Sequence, residues 1–155
     1  MKVWDLGTYP GGLGSWVGDI NDFGVAVGWA SLSGWDQQHP AMVPLFGPKA
    51  MQWVDLGTLG GEGAAEAFGI SDTGIIVGHS FTGAGNDRAF VWTSKTSIVD
   101  LGTLPGHTDS QALDINRVGT LIVSAPSESS SAMNASGGNG LAKLRAFSEE
   151  KPNRG

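Results

Sequence analysis

Small and apolar residues come in short runs along this chain, each closed off within a few positions by glycine, proline, asparagine or aspartate. Ser15 to Ile20, Ala65 to Ile70 and Ser110 to Ile115 alternate. Val25-Ala26-Val27-Gly28, Ile75-Ile76-Val77-Gly78 and Thr120-Leu121-Ile122-Val123 are nearly continuous and rich in β-branched residues. Neither pattern keeps a helical period long enough to bury one face of a helix, and both fit short β-strands. Each alternating run is joined to the run after it by a turn: Asn21-Asp22-Phe23-Gly24, Ser71-Asp72-Thr73-Gly74 and Asn116-Arg117-Val118-Gly119. Asn or Ser followed three residues later by Gly suits a tight hairpin, because the polar side chain caps the turn backbone and Gly accepts a positive φ. The flanking runs therefore predict antiparallel pairs.

The pairs belong to a longer repeat. Asp-Leu-Gly-Thr occurs at Asp5 to Thr8, Asp55 to Thr58 and Asp100 to Thr103, at spacings of 50 and 45 residues. Gly/Pro stretches follow each copy, at Tyr9 to Gly12, Leu59 to Gly61 and Leu104 to Gly106. Two more strands are predicted in the first two copies. Ala41 to Val43 matches Ala89 to Trp92, and Met51 to Leu56 matches Thr96 to Leu101. Four short antiparallel strands in a unit of this length have the dimensions of a propeller blade. The predicted class is all-β: tandem four-stranded antiparallel blades, β-propeller-like, forming a partial propeller or an open stack. Residues 1–125 read as the repeat domain, with copies at 3–54, 55–99 and 100–125. Residues 126–155 read as a Ser/Gly-rich, linker-like tail.

The chain follows, with departures, the pattern Asp-Leu-Gly-Thr-Leu-Gly-Gly, then Ala-x-x-Ile-Asn-x-x-Gly-x-Val-Val-Gly, then His-Ala-Phe-x-Trp, and so resembles the HAF repeat of bacterial, mostly predicted extracellular, proteins. The best copy is residues 55–101, and the resemblance covers about residues 3–125. It implies a β-repeat architecture and carries no agreed activity. The family's namesake His falls at Pro40 and at Arg88 in a sequence alignment of the copies. The third copy stops matching after Ser124, although Arg145-Ala146-Phe147 echoes Arg88-Ala89-Phe90. About two and a half blades leave unpaired edges, which invite association. A homodimer completing a six-bladed ring is one expectation, and an open stack in a monomer is the other.

Composition narrows the partners. Charged residues are 15% of the chain and the net charge is −6, so nucleic acid is a poor partner and an anionic membrane surface equally poor. No apolar run is long enough to span a bilayer. Cysteine is absent, which removes disulfides and thiolate zinc sites. The first twenty residues lack a basic start followed by an apolar run, so no signal peptide is read, and localisation is left open. Gly, at 25 of 155 residues, is about twice its usual frequency and suits a chain of tight turns.

Candidate chemistry follows from position in the repeat. The shared Asp5, Asp55 and Asp100 are expected to bond turn amides. Asp19, Asn21, Asp22, Asp72, Asp114 and Asn116 lie at equivalent turns. They read either as turn-capping residues or as oxygen ligands converging on Ca²⁺, which favours six to eight hard donors. No organic cofactor is expected. Gly83 to Asp87 reads as a loop tip. Polar residues that stand where other copies differ are the better functional candidates: His79, Arg88, Glu62, Glu66, His107 and Asp109. The histidines show no HxH or HExxH pairing, and Ser15 lacks a nucleophile elbow. Trp29 and Trp35 flank the longest loop outside the repeat, beside Asp36 and His39; aromatics next to carboxylates suit a sugar or an acyl chain.

Two functions are therefore expected. The first is a module binding a ligand or surface, carbohydrate or cell-surface material, through Trp29, Trp35, Asp36 and Arg88. The alternative is a Ca²⁺-dependent hydrolase of the lactonase type, acting on lactones such as N-acyl-homoserine lactones. There the metal would polarise the ester carbonyl, and His79, His107 and Glu66 would be the candidate catalytic residues. The partner expected in either case is a small molecule or a glycan.

Overall fold

A computed structural model describes residues 3–33 and 38–125, apart from the Glu62 side chain. Trp35, Asp36 and the segment 126–155 lie outside the described residues. Within them the protein is all-β, with ten strands and no helix. The strands are β1 (Ser15–Ile20), β2 (Val25–Ser31), β3 (Gln38–Pro44), β4 (Val54–Asp55), β5 (Gly60–Ile70), β6 (Ile76–Thr82), β7 (Asp87–Thr93), β8 (Ser97–Asp100), β9 (Gln111–Ile115) and β10 (Leu121–Ser124). They form antiparallel sheets in the orders β1-β2-β3-β4, β5-β6-β7-β8 and β9-β10.

The turn chemistry carries the repeat. Asn21 Oδ1 accepts the Phe23 and Val25 amides at 3.2 and 3.0 Å, and Asn116 Oδ1 accepts the Val118 and Thr120 amides at 3.1 and 2.8 Å. Ser71 Oγ accepts the Ile75 amide at 3.0 Å. The closing glycines Gly24, Gly74 and Gly119 have φ of 72°, 81° and 93°, a region that a Cβ disfavours. The shared aspartates behave alike: Asp5, Asp55 and Asp100 each accept the amide two residues on, from Gly7, Gly57 and Gly102, at 3.0, 2.8 and 2.6 Å. These short local bonds form without tertiary help, so they tie each link between sheets to its own sequence.

Three differences from the sequence expectation have physical causes. The strand expected at Met51 to Leu56 is only Val54–Asp55. A turn tightens just before it, with Ala50 N–H bonded to Gly47 O and Met51 at φ 61°. β5 begins at Gly60, because Gly60 pairs with Thr82 ahead of the expected segment. The third correction concerns β3. Ala41 pairs with Gly28 and Asp55, just as Phe90 pairs with Gly78 and Asp100. The structural equivalent of Arg88 is therefore His39, not Pro40. His39 Nδ1 lies 3.0 and 3.1 Å from the two oxygens of Asp55, which ties β3 to the next Asp-Leu-Gly-Thr link.

Successive sheets bury apolar faces against each other. The first and second meet through Val27 on one side and Ala67, Ile70, Ile76 and Phe90 on the other, closed by Leu56 from the link. The second and third meet through Val77, Ala89 and Val91 against Ala112, Ile115 and Leu121, flanked by Leu101. Leu6 packs in the same way over Ala41, Val43 and Trp53 on the outer face of the first sheet. Leu56 and Leu101 thus each seal one sheet junction. Burying such side chains is worth about 1.5–3 kcal/mol each.

Candidate functional site

Sheet register brings several of the candidate polar residues together in the second copy. Glu66 and His79 are direct cross-strand partners on β5 and β6. The same two places in the first copy hold Trp16 and Trp29, and in the third Gln111 and Ser124. His79 Nδ1 is 2.7 Å from Asp87 Oδ1, and its Nε2 is 4.0 Å from Glu66 Oε2. Phe68 stacks on the imidazole with ring centroids 5.1 Å apart. This placement follows from a bulge: β5 skips Phe68 between the pairs Ala67–Gly78 and Gly69–Val77, and the Phe68 ring lies over His79.

Asp87 is the hub of the cluster. Its Oδ2 accepts Gln111 Nε2 at 2.6 Å, its N–H donates to Asp109 Oδ1 at 2.8 Å, and its carbonyl accepts the Ser110 amide at 2.9 Å. One residue of the second sheet is thereby bonded to three consecutive residues leading into the third. Sequence reading placed Asp87 in a loop tip. The turn itself ends at Asn86, whose carbonyl accepts the Thr82 amide, and Asp87 opens β7. Neither Asp87 nor Gln111 stands out without the pairing that brings them to His79. Arg88, beside Asp87, has a buried Nε without a hydrogen-bond partner. His107 lies in the loop between β8 and β9, with its N–H on the Leu104 carbonyl, and is not part of the cluster.

The Thr108 hydroxyl, donating to Asp109, holds its carboxyl below the usual value; the Asp87 amide and the Arg88 charge act in the same direction. A depressed folded value stabilises the fold above the unfolded pKa of about 3.8, and that stability is lost as pH falls through the folded value. Asp109→Asn is therefore expected to lose this stabilisation at pH 7, to approach the wild type in strong acid, and so to flatten the acid limb of the stability curve below about pH 4. Thermal melts across that range test it, and an unchanged acid limb would refute it.

A His held by a carboxylate has the parts of a proton-transfer dyad. Here the residue is only 8% exposed, with Phe68 on its face and Glu66 in front of Nε2. The cluster joins the second sheet to the third.

The turn residues proposed for Ca²⁺ do gather at one end. Asn21 Nδ2 donates to Ser71 O at 3.1 Å, the Asp22 amide donates to Asp72 Oδ1 at 3.2 Å, and Arg117 reaches Asp22 Oδ2 at 3.1 Å. Their oxygens are largely engaged by protein donors. Both Asp19 carboxylate oxygens accept amides, from Ile20 at 2.7 Å and Ile70 at 2.9 Å, and Asp114 Oδ1 accepts the Ile115 amide at 2.7 Å. Among the described residues no three His, Asp or Glu are grouped so as to hold a metal ion.

An open concave surface lies elsewhere. A groove of about 540 Å³ runs over the outer face of the first sheet, lined by Trp4, Asp5, Trp16, Val17, Ile20 and Trp53 among others. Trp53 Nε1 donates to Leu6 O at 2.9 Å and so holds the N-terminal link along one wall. Trp4 meets Phe46 edge-on at 6.0 Å. Trp29, half-buried opposite Trp16, does not line the groove. Sequence reading missed Trp4 and Trp16; their signal was that neither recurs at the equivalent place in later copies. Among the described residues no helix is long and apolar enough to cross a membrane. No family model, curated protein or solved structure matches the chain.

Proposed function

We propose that the chain is a β-propeller-like repeat module that acts by binding, and that it binds through the outer face of its first sheet. The observation that carries this is the tryptophan-lined groove of about 540 Å³, which lies within the usual size range of ligand sites. Exposed Trp4 and Trp16 offer rings for stacking, and Asp5 and Ser15 offer polar atoms at the rim. That mixture suits carbohydrate or cell-surface material: a sugar presents an apolar face to the ring and hydroxyls to the rim. The HAF-like repeat agrees with a surface role. The lactonase alternative has the His79–Asp87 pair in its favour and the engagement of the turn oxygens by protein donors against it.

Titration of the full chain with a panel of glycans, followed by tryptophan fluorescence, tests the reading. A saturable response that survives EDTA and weakens about tenfold in Trp16→Ala is expected. A response abolished by EDTA, or lactone hydrolysis restored by Ca²⁺, would replace it with the hydrolase.

A further inference from the structure

The fold holds two copies of one kind of junction, and each end of it presents half of a third. Register equates Val17 with Ala67 and Ala112, and Ile20 with Ile70 and Ile115. In the second and third sheets these positions are covered by the preceding sheet: Ala67 and Ala112 are 0% exposed, Ile70 and Ile115 5%. In the first sheet Val17 is 39% and Ile20 52% exposed. The opposite end mirrors this. Val27, Val77 and Ile122 are equivalent; the first two are 0% exposed beneath the following sheet, and Ile122 is 49% exposed.

The front face of the first sheet and the back face of the third are thus the two halves of a junction the chain already makes twice. Polar groups match as well. In the first junction Asn21 Nδ2 donates to the carbonyl of Ser71. Asn116 occupies the place of Asn21 on the back face, where its exposed side chain can make the same bond to the carbonyl of Asn21 in another chain.

We infer that a second copy of this chain is the occupant of the groove, seating its β9–β10 back face on the β1–β2 front face. The inference rests on the reading of that face as the binding surface: a second copy seated there competes with a glycan, so glycans bind the monomer and draw the equilibrium toward it. The contact is heterologous, so two copies can satisfy both faces only by closing on each other. The internal junctions supply the geometry, and Val17, Ile20 and Ile122 lose their exposure as their equivalents do.

Mixing two single variants tests it. Ile20→Asp spoils only the front and Ile122→Asp only the back. Both residues are exposed, so each variant should keep the wild-type melting profile of the monomer. Light scattering on the full chain, from micromolar to millimolar, should give twice the chain mass for wild type and the single-chain mass for either variant alone. An equimolar mixture should recover a one-to-one pair, because Ile122→Asp retains a good front and Ile20→Asp a good back. Dimerisation of Ile122→Asp alone would mean front-to-front contact and overturn the inference. So would a wild-type monomer throughout the range. A monomer whose tryptophans still respond to glycans would leave the binding reading standing; a monomer that responds to none would sink both.

Discussion

Gly78→Ala is expected to destabilise the protein by about 3 kcal/mol and to lower its melting temperature by on the order of 10 °C. The reason lies in the bulge that skips Phe68. Where β5 bends, the Glu66 carbonyl crosses the Gly78 backbone, and a Cβ at Gly78 would stand 1.9 Å from that oxygen and 2.9 Å from Ala67 Cα. Backbone atoms cannot rotate away as a side-chain tip can. The first copy repeats the arrangement: a Cβ at Gly28 would stand 1.9 Å from Trp16 O, beside the bulge between Val17 and Asp19. Gly78 pairs with Ala67 on one side and Phe90 on the other, so β6 has neighbours on both sides that would have to move with it. The third copy carries Val123 at the equivalent place, where, among the described residues, β10 has only β9 as a neighbour and no second strand holds it against the crossing. Thermal and denaturant melts of Gly78→Ala check the expectation. A loss below about 1 kcal/mol would mean that the bulge relaxes easily and that the glycine is not what the crossing requires.

That bulge marks the boundary of what the sequence discloses. Asp5, Asp55 and Asp100 each bond an amide two residues away, and Asn21, Ser71 and Asn116 each bond amides within four. Interactions of so short a range are written in adjacent residues and recur wherever the phrase recurs. Strand pairing within each hairpin follows for the same reason. The β3 register does not, because the link between β2 and β3 differs in length from that between β6 and β7, and a one-residue slip reverses every side chain on the strand. His39 therefore looked like an ordinary loop histidine and proves to be the latch on Asp55.

The site was legible in part. Asking which polar residues break the repeat selected Glu62, Glu66, His79, Arg88, His107 and Asp109; the sheet brings Glu66, His79, Arg88 and Asp109 to one neighbourhood and leaves His107 in another loop. It passed over Asp87, whose neighbours Gly83 to Asn86 gave it the look of a turn residue. It also passed over the groove, because among the described residues no sheet packs on the outer face of the first, and no local phrase records that. Equal residues at Ile70 and Ile20 have opposite exposures for this reason alone.

Asp87→Ala is expected to be the most damaging change in the polar cluster, at about 3 kcal/mol, although the residue lies at the very start of its strand. Its two carboxylate oxygens serve different sheets: one holds His79 at 2.7 Å, the other Gln111 at 2.6 Å. The His79 and Asp87 side chains are only 10% and 14% exposed, so water does little to replace the lost acceptor. Truncation leaves the imidazole N–H and the Gln111 amide without partners, and an unpaired buried donor is what makes such a deletion expensive. Glu66→Ala should be milder, near or below about 1 kcal/mol, since Glu66 stands 4.0 Å from the ring and is more open to solvent. If Asp87 acts by satisfying His79, removing both polar partners should hurt less than removing one. The double variant Asp87→Ala/His79→Phe, whose ring can stack on Phe68, is then expected to recover most of the loss, leaving the Gln111 bond as the remainder. Melting curves of the single and double variants decide this. Additive losses would show that the two residues contribute separately, and that the second and third sheets are held by their apolar junction rather than by this cluster.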